Sequence, residues 1–243
     1  MIKIEKVEIC GFGPAVRGMR NSYNSWDKSD STFTKVSRTI IPDIGDSDLK
    51  LMENLSSGGS SHAKFRRFVG VYFDITAPLY WWKEFDTYKV GTVANSCSTM
   101  HTIAAKEFEL EDFSREHLLS ELWKDGDGDP FTLVDRNQDE IECDALTFLW
   151  HTCDVLNHYR KLYLETRDKR YWWQMIQLLP SSYNQKRTVL LNYEVLYSIY
   201  KDRRHHKLDE WQQFCDWIET LPYVKGIVVP KVVEVSTWDF AKK

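Results

Sequence analysis

Three kinds of local structure meet in the stretch Ala77-Pro78-Leu79-Tyr80-Trp81-Trp82-Lys83-Glu84-Phe85-Asp86-Thr87-Tyr88-Lys89-Val90-Gly91-Thr92-Val93-Ala94-Asn95-Ser96-Cys97-Ser98-Thr99-Met100-His101. Just upstream, Phe68 to Ile75 is rich in β-branched and aromatic residues, the composition of a strand. Pro78 lacks an N–H and holds a helix-compatible φ, so it starts the next element, a predicted helix through Trp82 and Phe85. From Tyr88 to His101, Gly, Thr, Ser and Asn crowd together and predict a loop.

Upstream of this stretch, Ile2 to Ile9 alternates apolar and charged residues and predicts a strand. Gly11-Phe12-Gly13-Pro14 breaks it, and Ala15 to Asn21 begins a helix. Ser22 to Thr32 reads as a surface loop. Asp46-Ser47-Asp48 is expected to cap a helix through Leu49, Leu51, Met52 and Leu55, because a short acidic side chain satisfies free N-terminal amides. Ser56 to Ser61 ends that helix. Downstream, the polar region Lys106 to Glu142 is expected to hold one helix, Arg115 to Trp123. Asp144 to Thr166, Arg170 to Leu178 and Thr188 to Thr220 read as helices, the last broken near His205. Val224 to Val235 reads as a final strand or an extended tail. Strands early and helices late make an α+β pattern, and with no repeat or linker a single domain over residues 1–243 is expected.

The chain carries a net charge of −4 and five cysteines. The charge argues against a nucleic-acid coat, which needs accumulated Lys and Arg. Cys10, Cys97, Cys143, Cys153 and Cys215 form no C-x-x-C pair, so neither a disulfide framework nor a zinc site is indicated. No stretch approaches a membrane span, and the N-terminus has no signal-peptide core, so a cytosolic location is expected. Ten Trp, twelve Tyr and twelve Phe suit cores and subunit interfaces more than a stacking surface.

Several short motifs carry competing readings. Asp125-Gly126-Asp127-Gly128-Asp129-Pro130 suggests a calcium loop, but Pro130 stands where Gly is needed and Arg136 where a bidentate Glu is needed, leaving an acidic turn. Lys64-Phe65-Arg66-Arg67-Phe68 interleaves bases with aromatics, as single-strand binders do, yet five residues make no stripe; a strand entrance with one charged face is the better reading. Arg203-Arg204-His205-His206-Lys207 is either a solvated helix turn or an anion site. Adjacent histidines diverge on a helix, which argues against a metal pair. Ser96-Cys97-Ser98-Thr99 offers hydroxyls and amides to a phosphate, and Cys97 has no activating base by sequence.

From Ala77-Pro78 onward the chain resembles the flavin-dependent thymidylate synthases. In that family an Ala-Pro ends a strand, and an aromatic-rich helix leads into a loop of pattern R-H-R-x-x-S-x-N-E-x-S-x-R-Y. Lys83-Glu84 resembles the family's Arg-Gln, and Thr87-Tyr88-Lys89 falls on the R-H-R triplet. Two registers follow. Without a gap, N-E falls on Ala94-Asn95 and the serine on Cys97. With one inserted residue, Asn95 and Ser98 match in identity and Met100-His101 closes the motif, so its final Arg is missing. Ala15-Val16-Arg17 with Arg20 and Ser22 resembles the family's first helix, and His62 aligns with a turn histidine. Leu179-Pro180, Asn192 and Arg203 match the family's Leu-Pro, helix asparagine and pyrimidine-binding arginine at equal spacings. Ser198 and Lys207 stand where the family has a flavin-contacting asparagine and histidine.

The resemblance implies an α+β fold with a central antiparallel sheet and helices packed on it. It also implies FAD as cofactor, methylenetetrahydrofolate as carbon donor, a dUMP-like nucleotide as substrate and a homotetramer sharing its sites. On it, Arg203 is the catalytic candidate, stabilising negative charge on a pyrimidine oxygen. Glu84, Ser98, Thr99 and Arg203 are candidate substrate contacts; His62, Lys89, Asn95, Asn192, Ser198 and Lys207 are candidate cofactor contacts, with Lys89 also available to phosphate. A non-catalytic relative that keeps the fold as a binding or assembly module is the alternative. A single-strand nucleic-acid binder is the third reading, disfavoured by the charge.

Overall fold

The computed structural model of the chain describes residues 1–37, 39–134 and 138–231. In chain order they form β1 (Lys3–Cys10), α1 (Phe12–Arg20), β2 (Thr32–Val36), β3 (Thr39–Asp43), α2 (Asp46–Ser57), β4 (Gly70–Pro78) and α3 (Leu79–Phe85). After these come β5 (Val93–Ser96), α4 (Thr99–Thr102), β6 (Thr132–Val134), β7 (Glu140–Glu142), α5 (Ala145–Thr166) and α6 (Lys169–Leu178). The last elements are β8 (Asn184–Asn192), α7 (Tyr193–Arg203) and α8 (Asp209–Glu219). The fold is α+β with an antiparallel sheet. Four strands pair in the order β1-β4-β8-β5, while β2-β3 and β6-β7 are separate antiparallel hairpins.

The chain divides into two compact units, each of non-contiguous segments. Of the described residues, 1–3, 75–87, 95–134 and 138–187 make the first; 4–37, 39–74, 88–94 and 188–231 make the second. In the first unit, α5 and α6 close over Ile103, Phe108, Phe113, Leu149, Cys153, Leu156 and Met175. Trp81, Trp82 and Phe85 of α3 are also fully buried there, with the Trp81 and Phe85 rings stacked at 5.0 Å. In the second unit, α1 buries Phe12, Ala15, Val16 and Met19, and Phe12 meets Tyr193 edge-on at 5.8 Å. Phe73 of β4 packs on Phe214 and Trp217 of α8, at 6.0 and 4.8 Å. Gly11 makes the sharp exit from β1 at φ 95°, where an added Cβ would lie 1.9 Å from the Phe68 carbonyl oxygen. Only glycine fits there.

A buried ion pair fastens α1 to α2. Arg20 Nε donates to Asp48 Oδ1 at 2.6 Å, with side-chain exposures of 5% and 0%. Ser29 and Ser31 hydroxyls donate to Asp48 Oδ2 at 2.6 and 2.7 Å. Burial pushes the Asp48 carboxyl up, but the hydrogen bonds from Ser29, Ser31 and Arg20 outweigh it and hold the group below the usual carboxylate range.

Several sequence expectations are corrected. The Asp46-Ser47-Asp48 run does not cap α2 but forms its first turn; Asp30 caps it from the preceding loop, accepting Ser47 N at 2.8 Å and Asp48 N at 3.1 Å. Lys64–Phe68 is a 3-10 turn burying Phe65 and Arg66, not a strand entrance, and β4 starts two residues later, at Gly70. Arg115 to Trp123 forms no helix: Leu118, Leu119, Leu122 and Trp123 stay exposed, and Trp123 N bonds to the distant Cys143 oxygen instead. Thr188 to Asn192 completes β8 rather than opening a helix, while the break near His205 lies between α7 and α8. The Tyr88–His101 loop contains β5 and α4. Val224 to Val229 is turn-like, with one bridge from Lys225 to Val229; the Val232–Val235 part of the expected strand lies outside the described residues. The acidic turn closes on itself, Asp125 Oδ1 accepting the Asp127 and Asp129 amides, and no metal-holding cluster occurs among the described residues.

Candidate functional site

In the second unit, α7 is the organising element. Asn192, the last residue of β8, caps it: Oδ1 accepts Glu194 N and Val195 N, both at 3.1 Å. Gly91 lies against this cap at φ 82°, where a Cβ would come within 3.1 Å of Asn192 Nδ2. Asn192→Ala is expected to cost about 1 kcal/mol, read as a lowered thermal midpoint, whereas Asn192→Asp preserves the midpoint.

At the other end of the helix, Arg203 occupies the last turn of α7. Its Nε donates to Tyr88 Oη at 3.0 Å, and its guanidinium lies 5.0 Å from the Trp211 ring centroid and 5.7 Å from that of Tyr88. Burial pushes the Tyr88 hydroxyl up more than Arg203 draws it down, so Tyr88 stays protonated at neutral pH. The aromatic faces complement the cation and fix its fork in one orientation. Of the adjoining basic cluster, Arg204 pairs with Asp216 and Glu219, His206 Nδ1 accepts Leu208 N at 3.2 Å, and Lys207 is exposed.

Ser198, half-buried on α7, donates its hydroxyl to Glu194 O at 3.2 Å. Lys89 is exposed. His62 follows α2 in an exposed turn and lines a cavity of about 620 Å³ together with Arg20, Ser22, Lys28, Ser47 and Lys50. Nearby in sequence, Arg66 is fully buried, stacked 4.0 Å over Tyr197, with Nη1 3.4 Å from Glu194 Oε2 and no hydrogen-bond partner at Nε among the described residues. Burial lowers its pKa, and Glu194 opposes that shift.

The first unit holds Glu84, Asn95, Ser98 and Thr99. Glu84 is half-buried on α3 and Asn95 exposed on β5. Ser98 is the N-cap residue of α4, with no side-chain cap bond. Gln185 Nε2 donates to both Cys97 O and Thr99 Oγ1, at 3.1 and 3.0 Å. Gln185 Oε1 accepts Arg187 Nε at 2.9 Å, Arg187 Nη1 donates to Asp86 Oδ1 at 2.7 Å, and the guanidinium stacks 4.0 Å over Trp82.

The structure thus brings Arg203 to Tyr88 and Trp211 in one unit, and Thr99 to Gln185 and Arg187 in the other. Sequence reasoning missed Trp211, Gln185 and Arg187. For the last two, the signal was Asn192: a helix capped there cannot begin at Thr188, and the β-strand that replaces it puts Gln185 and Arg187, two residues apart, on one face.

The fold these elements define is that of the flavin-dependent thymidylate synthases. Thymidylate synthase X from Helicobacter pylori, solved with FAD and dUMP, superposes with a TM-score of 0.62 at 16% identity, over 95% of this chain and 100% of that one. A second structure of that enzyme with FAD and dUMP gives 0.60 at 17%, over 90% and 94%. The UMP/dUMP methylase PolB from Streptomyces cacaoi, bound to 5-Br dUMP, gives 0.56 at 16%, over 92% of each chain. No protein-family model matches the chain, and no curated protein does. Among the described residues no helix is long and apolar enough to cross a membrane.

Proposed function

We propose that this chain is a nucleotide methyltransferase acting on the base of dUMP or a related pyrimidine nucleotide, with FAD as cofactor and methylenetetrahydrofolate as carbon donor, in a cytoplasmic homotetramer. The observation that carries this reading is Arg203, a guanidinium fixed by Tyr88 and Trp211 in a fold otherwise found holding FAD and dUMP. A permanently charged group on two aromatic faces suits negative charge developing on a pyrimidine oxygen.

Support for FAD comes from the cavity beside His62, where Ser22, Ser47, Lys28 and Lys50 lie among lining residues that also include Met19, Leu51 and Leu55; such hydroxyls and cations suit a pyrophosphate. His62, Lys89, Asn95, Asn192, Ser198 and Lys207 are the residues proposed to hold it. When bound, FAD supplies reducing equivalents for the methyl transfer. In the second unit Arg203 is the residue proposed to orient and polarise the pyrimidine; in the first, Glu84, Ser98 and Thr99 are the further proposed substrate contacts, the two hydroxyls suiting a phosphate.

A visible absorption spectrum of the purified protein, before and after FAD and then dUMP, tests this. A bound-flavin spectrum that shifts on adding dUMP is expected. A second reading, a re-purposed relative without flavin chemistry, is favoured by Ser198 donating back into α7 and by Thr87-Tyr88-Lys89 at the basic triplet. Absence of flavin binding at high protein concentration selects it.

A further inference from the structure

We propose that Gln185 and Arg187 are positioning residues that present the Thr99 hydroxyl as a hydrogen-bond donor to the substrate phosphate; this rests on the nucleotide reading above. A hydroxyl has one proton and two lone pairs. Gln185 Nε2 occupies a lone pair of Thr99 Oγ1 at 3.0 Å, so the Thr99 proton is directed to another acceptor. The amide cannot turn over, because its oxygen accepts Arg187 Nε at 2.9 Å while its second N–H is held by Cys97 O at 3.1 Å. Arg187 in turn is fixed by Asp86 Oδ1 at 2.7 Å and by Trp82, whose Nε1 donates to Gln185 O at 3.0 Å. From Arg187 the donors run one way, through Gln185 to Thr99, while Asp86 accepts from the other side of the guanidinium and anchors it, and such chains strengthen their terminal donor.

That terminal donor is the Thr99 proton. Beside it sits Ser98, whose hydroxyl makes no cap bond. Two adjacent hydroxyl donors at the same turn match an oxyanion with several acceptor oxygens, which a phosphate monoester is. Lys186 O accepts Cys97 N at 2.9 Å, so β8 also fixes the turn's backbone.

The test is equilibrium binding of dUMP and of deoxyuridine to the full chain, in a double-mutant cycle of Gln185→Glu and Thr99→Val. In Gln185→Glu the introduced carboxylate would accept the Thr99 proton and turn it from the ligand. Each single variant is expected to weaken dUMP about tenfold or more, the range of a hydrogen bond to a charged group. Deoxyuridine, which lacks the phosphate, is expected to change less than about twofold, and Thr99→Ser to retain wild-type dUMP affinity. In the Gln185→Glu background, Thr99→Val is expected to add nothing, because the two act as one donor. Equal losses for dUMP and deoxyuridine, or additive losses in the cycle, would make Gln185 merely structural and overturn the proposal. Unchanged dUMP affinity in all variants overturns it too while leaving the nucleotide reading intact. A wild-type chain that binds no dUMP at millimolar concentration overturns both. Should Gln185→Glu fail to fold, Arg187→Met, which keeps an apolar stem over Trp82, carries the same cycle.

Discussion

On the proposed function, Arg203→Ala is expected to lower turnover of the nucleotide by about 10²–10³-fold, the range seen when one donor to a developing negative charge is removed. The physical ground is the fixity of the group. Tyr88 Oη holds Nε at 3.0 Å, and Trp211 is fully buried in the core. A guanidinium so held reorganises little as charge develops, whereas a lysine there would lose the planar fork. Arg203→Lys is therefore expected to recover only a small part of the loss. Fold stability should fall by about 1 kcal/mol, the scale of a cation–π contact on a partly buried surface, so circular dichroism and oligomer size are expected to match wild type. Steady-state kinetics separates the outcomes: a fall in kcat with little change in KM places Arg203 at the reacting base. Wild-type turnover in Arg203→Ala removes it from the chemistry.

Asp48→Ala is expected to destabilise the second unit by about 3–5 kcal/mol, because it strands the Arg20 charge in the core without its counterion. Urea denaturation with a lowered midpoint and unchanged slope is the readout. The same carboxylate gives the stability a pH signature. Its folded pKa is depressed, so its contribution is fully present above the ordinary Asp pKa and is lost as pH falls through the folded value. Wild type should lose stability on acidification through that window, and Asp48→Asn, already lacking the charge, should lose less. A parallel acid profile in both would show that other carboxylates dominate.

Much of the helical framework was legible in the sequence because it is written in local chemistry. Asp144 both precedes and caps α5, its Oδ1 accepting Thr147 N at 2.6 Å. Pro78 separates β4 from α3, and the turn between α7 and α8 falls at the polar run around His205. The α+β class followed from the order of these elements, and Leu179-Pro180, Asn192 and Arg203 carried the family resemblance that implied the fold.

Where two local preferences competed, only the tertiary structure chose. Thr188 to Asn192 suits either a helix or a strand by composition, and the neighbouring strands β4 and β5 supplied the backbone partners that made it a strand. Leu118, Leu119, Leu122 and Trp123 look apolar enough for a helix, but they stay exposed and the backbone bonds elsewhere. The sites divide in the same way. Sequence named Arg203 and Thr99 one residue at a time, since identity and spacing are properties of a single chain position. Their partners, Trp211 for one and Gln185 with Arg187 for the other, depend on which distant segments the fold lays side by side, and hydrogen bonds and ring stacking act only over a few ångströms.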